Sequence, residues 1–404
     1  MRDIAEVAAS VGEVSGDDTG ALRAFTSDEY KERLDRTRGG MAARNIDALI
    51  VTAPENICYL SGFSTTGYHT FQALVVPIDT DPFLILRDIE VDNAIQHSWI
   101  KDTEILKSID TPEQTVVEVL TSRLPAGTVL GYDNTTTWLP PRVFSALNDL
   151  SNLKSFVSDQ GVVEALRAIK SPRELVYLSR AAEIADIALM EGVRSLKSAA
   201  TDSDVAGAIQ GKLAALGSGF TGSPPYIVAG PASAKSHATH NLRPITPQDA
   251  VWLEIPASVE RYHACVSRTV YQGSYRHPEI ERAFEASKAA LEAIIATARP
   301  GVLAGEADAA GRQAAEEMGF TWRNRAAYAV GLSFPPGLGE GHIIDIKRED
   351  PRPLQAGMVF HVIPILKVPG VGAAGCTETI VIGEDRTYSL SALPRKLLSP
   401  SEVH

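Results

Sequence analysis

Short apolar runs and an amphipathic stretch dominate the first part of the chain. Three runs of strand length, at residues 48–51, 73–76 and 83–86, are bounded by Pro, Asp or Gly, and a later run lies at residues 129–132. The amphipathic segment at residues 27–44 precedes them. Strands that alternate with helical stretches are typical of an α/β domain, and we expect one here.

The second part of the chain carries longer helical patterns. Lys170-Ser171-Pro172-Arg173-Glu174 indicates a helix start, because Ser caps a helix N-terminus and Pro fits the first turn. Helical and strand patterns then alternate, at residues 202–216, 227, 251–255, 266–271, 277–298, 358–365 and 377–382. We therefore place a boundary near residue 170, between an N-terminal domain of residues 1–168 and a C-terminal domain of residues 169–404.

Composition and charge narrow the class of protein. The chain has 404 residues, 44% hydrophobic and 22% charged, as expected of a soluble two-domain enzyme. A net charge of -12 without clusters of Lys and Arg argues against a nucleic-acid partner. No apolar run is long enough to span a bilayer and the first residues do not form a signal peptide, so we expect no membrane association and a cytoplasmic location. Cys58, Cys265 and Cys376 are far apart, which favours a reducing compartment over a disulfide framework.

The segment from residue 236 to residue 269 holds the residues best suited to chemistry. His237 precedes the turn Gln248-Asp249 and an apolar strand pattern that contains Glu254. An imidazole can take a proton from water and return it near neutral pH, although a buried structural His is the alternative interpretation. Glu254 requires a partner, either a substrate or Arg268, because burying an unpaired carboxylate costs several kcal/mol.

The order of residues after Glu254 resembles that of a known superfamily. Tyr262, Cys265 and Arg268 follow it at the spacing of the metal-binding strands of the creatinase/prolidase, or pita-bread, superfamily. The resemblance implies an α/β creatinase-like N-terminal domain. It also implies an α+β pita-bread C-terminal domain, with helices outside a curved antiparallel sheet.

The resemblance further implies a two-metal site, whose ligands this chain has largely lost. Glu254 and Cys265 stand at the positions of two Asp ligands, and Leu332 and Ile363 fall where a His and a Glu are expected. Only Glu378 is assigned as an unchanged ligand, and hydrocarbon side chains donate no lone pair. We therefore expect no metal and no other cofactor. A single site built from Glu254, Cys265 and Glu378 is the alternative.

Within the superfamily the chain looks most like the ectoine hydrolase branch, over almost its whole length. The segments that carry this resemblance are RYHACVSRTV, YAVGLSFPPGLGEGH, GMVFHVIP and GCTETIVI. Ectoine is a cyclic amidine, and an amidinium already carries the positive charge that a metal would impose on a neutral amide. The chain departs from that branch at Thr239-His240-Asn241 and after Pro364, so another small amidine or amide is the alternative substrate.

The resemblance also implies roles for particular residues. We expect His237 to act as general acid and base, and Glu254 and Glu378 to face each other across one cavity and orient the substrate. Further substrate contacts are expected from Tyr262, His263, Arg268, His240 and Phe334. Because relatives dimerise, we expect a homodimer in which Tyr68 and His69 reach the neighbouring subunit. The alternatives are a creatinase-like amidinohydrolase or amide hydrolase, an Xaa-Pro aminopeptidase, and a non-catalytic pita-bread binding module.

Overall fold

The structure, a computed structural model, describes residues 23–133 and 138–402. The chain divides into two compact units, with the division after Arg167. Each unit has its own hydrophobic core. In the part of the chain that the structure describes, no helix is both long enough and apolar enough to cross a membrane.

The N-terminal unit is built around a six-stranded mixed sheet in the order β4-β3-β2-β1-β5-β6. Its strands are β1 (Ala48–Val51), β2 (Ala73–Pro77), β3 (Phe83–Leu86), β4 (Thr103–Ile105), β5 (Thr128–Tyr132) and β6 (Leu153–Ser158). Its helices are α1 (Ser27–Ala42), α2 (Pro54–Ser61), α3 (Val91–His97), α4 (Pro112–Arg123), α5 (Pro141–Asn148) and α6 (Val162–Arg167). Every residue of β1, β2 and β3 is buried, which explains why these strands are continuous apolar runs in the sequence.

In its described residues, the C-terminal unit combines four α-helices with an antiparallel sheet. The helices are α7 (Pro172–Ser195), α8 (Asp202–Ala215), α9 (Pro278–Thr297) and α10 (Ala304–Glu316). The strands are β7 (Tyr226–Ala229), β8 (Ala250–Val259), β9 (Tyr262–Tyr271), β10 (Ala327–Ala329), β11 (Asp345–Ile346), β12 (Val359–Val362), β13 (Leu366–Val368), β14 (Gly372–Ala374), β15 (Cys376–Ile382) and β16 (Thr387–Ser389). The main sheet has the order β11-β10-β12-β15-β9-β8-β7, with β16 beside β15.

Two boundaries in this unit follow from local chemistry. The predicted start of α7 is confirmed: Ser171 Oγ accepts from the Glu174 N–H (3.3 Å) and the Glu174 carboxylate accepts from the Ser171 N–H (2.8 Å). The strand predicted over residues 358–365 is wrong in its extent, since β12 ends at Val362. Pro364 lacks the N–H that a further ladder bond needs, and the chain begins a separate hairpin, β13 with β14.

Side chains of the main sheet alternate between two faces, as in any strand. On one face, Leu253, Ile255 and Val266 pack into a core with residues of α7 and α8, and Phe360 and Ile380 pack into a core with residues of α9 and α10. We call this the helix face. The opposite face is here called the polar face, and the register of the strands places on it, among others, Tyr226, Glu254, Cys265, Ser267, His361, Thr377, Thr379 and Tyr328.

Candidate active site

A row of hydrogen-bonded side chains crosses the polar face of the main sheet. Tyr328 on β10 bonds through its hydroxyl to His361 Nδ1 on β12 at 2.8 Å, and His361 Nε2 lies 2.8 Å from Thr377 Oγ1 on β15. Thr377 Oγ1 in turn lies 2.6 Å from Ser267 Oγ on β9. Ser267 is paired across the ladder with Glu254 on β8, so five adjacent strands contribute one polar group each.

Glu254 differs from the other charged groups near it because it has no basic partner. The side chain is half-buried and accepts a hydrogen bond from Trp252 Nε1 at 3.2 Å. No Lys, Arg or His among the described residues forms an ion pair with it. Burial raises the pKa of Glu254 to about 7, and the Trp252 N–H opposes that rise only in part. The site therefore holds a carboxylate whose charge is uncompensated unless a cation binds.

Cys265 and His361 lie next to Glu254 on the polar face. One ligand atom from each of the three side chains lies within 4.8 Å of the other two. Burial raises the pKa of the Cys265 thiol well above its ordinary value and lowers the pKa of His361 to about 3, so the thiol is protonated and the imidazole neutral. His361 was not among the predicted site residues. The alternation Phe360-His361-Val362 could have identified it, because the side chain between two core residues of a strand points to the other face of the sheet.

His237 lies in the segment between β7 and β8, and its side chain is exposed. Its backbone has φ 60°, in the left-handed region that few side chains favour. The imidazole centroid lies 6.2 Å from the ring centroid of Tyr226. Tyr226 is paired across the ladder with Glu254, so His237 borders the part of the polar face that holds the carboxylate. Its role as general acid and base remains a prediction.

The expected pairing of Glu254 with Glu378 is wrong in its geometry. Glu378 lies on the helix face, opposite Val362 in the ladder, and is buried. Its carboxylate accepts from Arg268 at 2.6 Å and from Arg395 at 2.8 Å, which is a structural ion-pair arrangement. Since strand side chains alternate, the neighbouring residues Thr377 and Thr379 are the ones of β15 that reach the polar face. Arg268 likewise supports Glu378 and neither Glu254 nor a substrate on the polar face.

Two other predicted substrate contacts serve the fold. Tyr262 is fully buried on the helix face, with its ring 5.9 Å from that of Tyr177 on α7 in a stacked arrangement. His263 is also fully buried, and its Nε2 accepts from the Gly222 N–H at 2.9 Å while Nδ1 lies 2.9 Å from the Arg261 carbonyl. Burial lowers the pKa of His263 to about 3. Both ring nitrogens are therefore occupied by backbone, and neither is directed to a substrate.

Phe334 and His240 have different surroundings. Phe334 is buried beside the guanidinium of Arg261, which lies 4.5 Å from its ring centroid and 3.8 Å from that of Phe220. This stack favours a structural corner over a pocket wall. His240 is half-buried, and its Nδ1 has no hydrogen-bond partner among the described residues. Its predicted contact with substrate remains a prediction.

Tyr68 and His69 belong to the N-terminal unit. The Tyr68 ring contacts Trp138 edge-to-face, with centroids 5.7 Å apart, and the His69 ring is 6.2 Å away. Both residues lie in the segment between α2 and β2. Their expected contact with a neighbouring subunit remains a prediction.

Comparison with known proteins identifies the family. Residues 177–384 match metallopeptidase family M24, and residues 33–169 match the creatinase/prolidase N-terminal domain. The chain therefore belongs to the M24 family. It has a creatinase-type N-terminal domain followed by a pita-bread domain, as the sequence predicted.

Three relatives show the breadth of this family. The chain is 29% identical over 392 residues to the uncharacterized hydrolase/peptidase y4tM of Sinorhizobium fredii, covering 93% of this chain and 98% of the relative. It is 28% identical over 399 residues to the ectoine hydrolase of Halomonas elongata, covering 92% and 98%. The crystal structure of the prolidase from Pyrococcus horikoshii matches with a TM-score of 0.80 at 23% identity, over 91% of this chain and all of that one. These relatives are hydrolases, and their names span different substrates.

The residues on the polar face do not fit a two-metal centre. Leu332 and Ile363, at two expected ligand positions, offer only hydrocarbon, and Leu332 is buried. Glu378 is bound to two guanidinium groups on the other face. Among the described residues, Glu254, Cys265 and His361 are the side chains grouped closely enough to hold an ion, and three ligands suffice for one. A groove of about 540 Å³ along α10 is lined mainly by charged and small residues and lacks this chemistry, so we place the site on the polar face.

Proposed function

We propose that the chain is a metal-independent hydrolase that opens the ring of a compact amidinium compound, with ectoine as the leading substrate. The observation that carries this proposal is the half-buried Glu254 carboxylate, which has no basic partner in the described part of the chain. An amidinium offers paired N–H donors and a positive charge, both of which such a carboxylate accepts. The similarity to the ectoine hydrolase of Halomonas elongata supports the same substrate class.

The proposed reaction needs one proton carrier and one anchor for charge. Glu254 accepts N–H bonds from the amidinium and holds its central carbon near the imidazole of His237. His237 takes a proton from water as the oxygen bonds to that carbon, and then gives it to the ring nitrogen as the C–N bond breaks. The hydroxyl of the adduct becomes the amide carbonyl, and its proton passes to the released amine. For ectoine the product is an N-acetylated diaminobutyrate. Ser267 and Thr377 are the neighbouring hydroxyls that can orient the substrate.

Three other functions are the alternatives. An Xaa-Pro peptidase is favoured by the family and by the fold shared with the Pyrococcus horikoshii prolidase. A related amidine or amide hydrolase, of the creatinase kind, would use the same carboxylate and imidazole. A non-catalytic binding module would retain the polar face as a recognition surface and would need no proton carrier.

A substrate panel separates these functions. Chelator-treated protein is incubated with ectoine, creatine and an Xaa-Pro dipeptide, and products are identified by mass spectrometry. We expect ring opening of ectoine, and its loss in the His237→Ala variant. His97→Ala, in the N-terminal unit, is the matched control and should keep the activity of the unmodified protein. If the dipeptide is the one substrate cleaved, and its cleavage returns when metal is added to the chelated protein, the result would favour the peptidase. Binding of ectoine without turnover, unchanged by His237→Ala, would favour the binding module.

A further inference from the structure

We infer that Glu254, Cys265 and His361 form a binding site for a single thiophilic divalent cation of the Zn²⁺ type, and that this ion competes with the organic cation for Glu254. The binding of the ion is independent of the proposed reaction. The competition rests on the proposed function, because it needs a substrate that binds the same carboxylate.

The three ligand types and their spacing suit one small ion. A carboxylate oxygen, a thiolate sulfur and an imidazole nitrogen, from strands β8, β9 and β12, lie within 4.8 Å of one another. Zinc bonds of about 2.0–2.3 Å in tetrahedral geometry put ligand atoms roughly 3.3–3.7 Å apart. The side chains therefore need to close by at most about 1.5 Å, which rotations about side-chain bonds can supply. Three protein ligands leave a fourth position open, as in a catalytic zinc site.

The charges of the three groups balance a divalent ion. Glu254 supplies one negative charge, and the Cys265 thiol supplies another when its proton passes to solvent on metal binding. No Lys or Arg within the described chain pairs with Glu254, so no fixed cation competes for the place. The ion would thus neutralise a half-buried carboxylate whose only hydrogen-bond partner among the described residues is the Trp252 N–H.

The surroundings of His361 orient it for binding. Each ring nitrogen is 2.8 Å from a hydroxyl, Tyr328 on one side and Thr377 on the other. A hydroxyl can donate or accept, so either tautomer is allowed. When one nitrogen binds the ion, the other stays hydrogen-bonded to its hydroxyl. That bond fixes the ring plane, as the outer hydrogen-bond partners of metal-binding histidines do.

The sulfur ligand determines which ions are selected. Thiolate and imidazole favour Zn²⁺ or Co²⁺, whereas Mg²⁺, Ca²⁺ and Mn²⁺ prefer oxygen ligands. An ion bound to Glu254 neutralises the charge that would attract an amidinium and occupies its acceptor atoms. Zn²⁺ is therefore expected to raise the KM for ectoine and to leave kcat unchanged.

Co²⁺ is the probe, because a thiolate ligand gives it a charge-transfer band in the near ultraviolet. We expect that band with a stoichiometry of one Co²⁺ per chain, and its displacement by Zn²⁺ but not by Mg²⁺. Cys265→Ser should abolish the band. Cys376→Ser is the matched control, since Cys376 is equally buried but lies on the helix face opposite Arg268 in the ladder, and it should keep the band. Removal of a residue that only hydrogen-bonds a metal ligand lowers metal affinity roughly 10- to 100-fold. His361→Gln removes a ligand itself and should weaken Co²⁺ binding by more than that.

The outcomes separate the site from the reaction. Absence of the band in the unmodified protein, or its persistence in Cys265→Ser, would overturn the metal site whatever the activity. If Cys265→Ser does not fold, the unmodified protein and His361→Gln still decide the matter, because an unchanged affinity in His361→Gln also overturns the site. Zn²⁺ that binds but leaves the KM for ectoine unchanged would overturn the competition. A metal site in a protein inert toward ectoine would support the ion and refute ectoine as the substrate.

Discussion

Replacement of Glu254 by Gln should stabilise the protein while it abolishes turnover. The carboxylate is half-buried and no basic side chain within residues 23–133 and 138–402 pairs with it, so the folded protein bears the cost of its charge. Gln keeps the shape of the side chain and an oxygen that can accept from Trp252 Nε1, but it carries no charge. A charged group that lowers the stability of the unliganded protein is expected in a functional site where the ligand supplies the opposite charge.

The magnitude follows from the pKa of Glu254, which burial raises from the ordinary 4.5 to about 7. Below pH 4.5 the carboxyl is protonated in both the folded and the unfolded protein, so it costs nothing. As the pH rises from 4.5 to 7, the unfolded protein ionises first, and the free energy of unfolding falls by at most ~3 kcal/mol. Because the side chain is only half-buried, solvent screening reduces the expected gain from Glu254→Gln to ~1–3 kcal/mol at pH 8.

Thermal unfolding at pH 8 and pH 5, without substrate, measures this gain. One kcal/mol corresponds to roughly 2–4 °C in Tm for a unit of this size, so the variant should melt several degrees higher at pH 8 and nearly as the unmodified protein at pH 5. Glu378→Gln is the control of opposite sign, because it removes the charge that two guanidinium groups share. It should cost about 3 kcal/mol or more at both pH values. A Glu254→Gln variant that is less stable than the unmodified protein at pH 8 would refute the reasoning.

Three further predictions concern the site and its support. His237→Ala should lower kcat for ectoine by ~10²–10⁴-fold with an unchanged Tm, since the side chain is exposed; retained turnover would remove His237 from the mechanism. In that same variant, the affinity for ectoine measured by calorimetry should fall about tenfold per pH unit below about 7, as Glu254 becomes protonated, and a flat profile would contradict this role. Lys170→Met should destabilise the C-terminal unit by ~3–5 kcal/mol, because its ammonium pairs with the Glu340 carboxylate at 2.8 Å and both side chains are 1% exposed. Lys170→Met combined with Glu340→Gln should recover part of that loss, as thermal unfolding can measure.

The fold could be predicted from the sequence because its signals are local. The strands β1 to β3 are continuous apolar runs, and the capping residues Ser171 and Glu174 mark the start of α7. Glu254 and Cys265 could also be located, since the hairpin β8–β9 fixes their register within ten residues of its turn. Such features depend on neighbours in the chain.

The errors arose where the face of a strand decides the role of a residue. In Cys376-Thr377-Glu378-Thr379-Ile380, the Glu shares its parity with two core residues and points away from the polar face. A shift of one residue exchanges the two faces of a strand. The prediction assigned Glu378 to the site because a carboxylate is expected at a ligand position, although the alternation along the strand places it with the core residues. His361 was missed for the complementary reason, because its partners lie on other strands: Tyr328 and Thr377. Such partners are brought together only by the fold.

Metal analysis of the purified protein, followed by an ectoine assay after exhaustive chelation, tests the central claim most directly. The product, an N-acetylated diaminobutyrate, is followed by mass spectrometry. We predict that chelated protein free of metal opens ectoine at least as fast as the untreated protein. Loss of turnover on chelation, with recovery when one equivalent of a divalent metal is returned, would contradict the claim that Glu254 and His237 act without a metal.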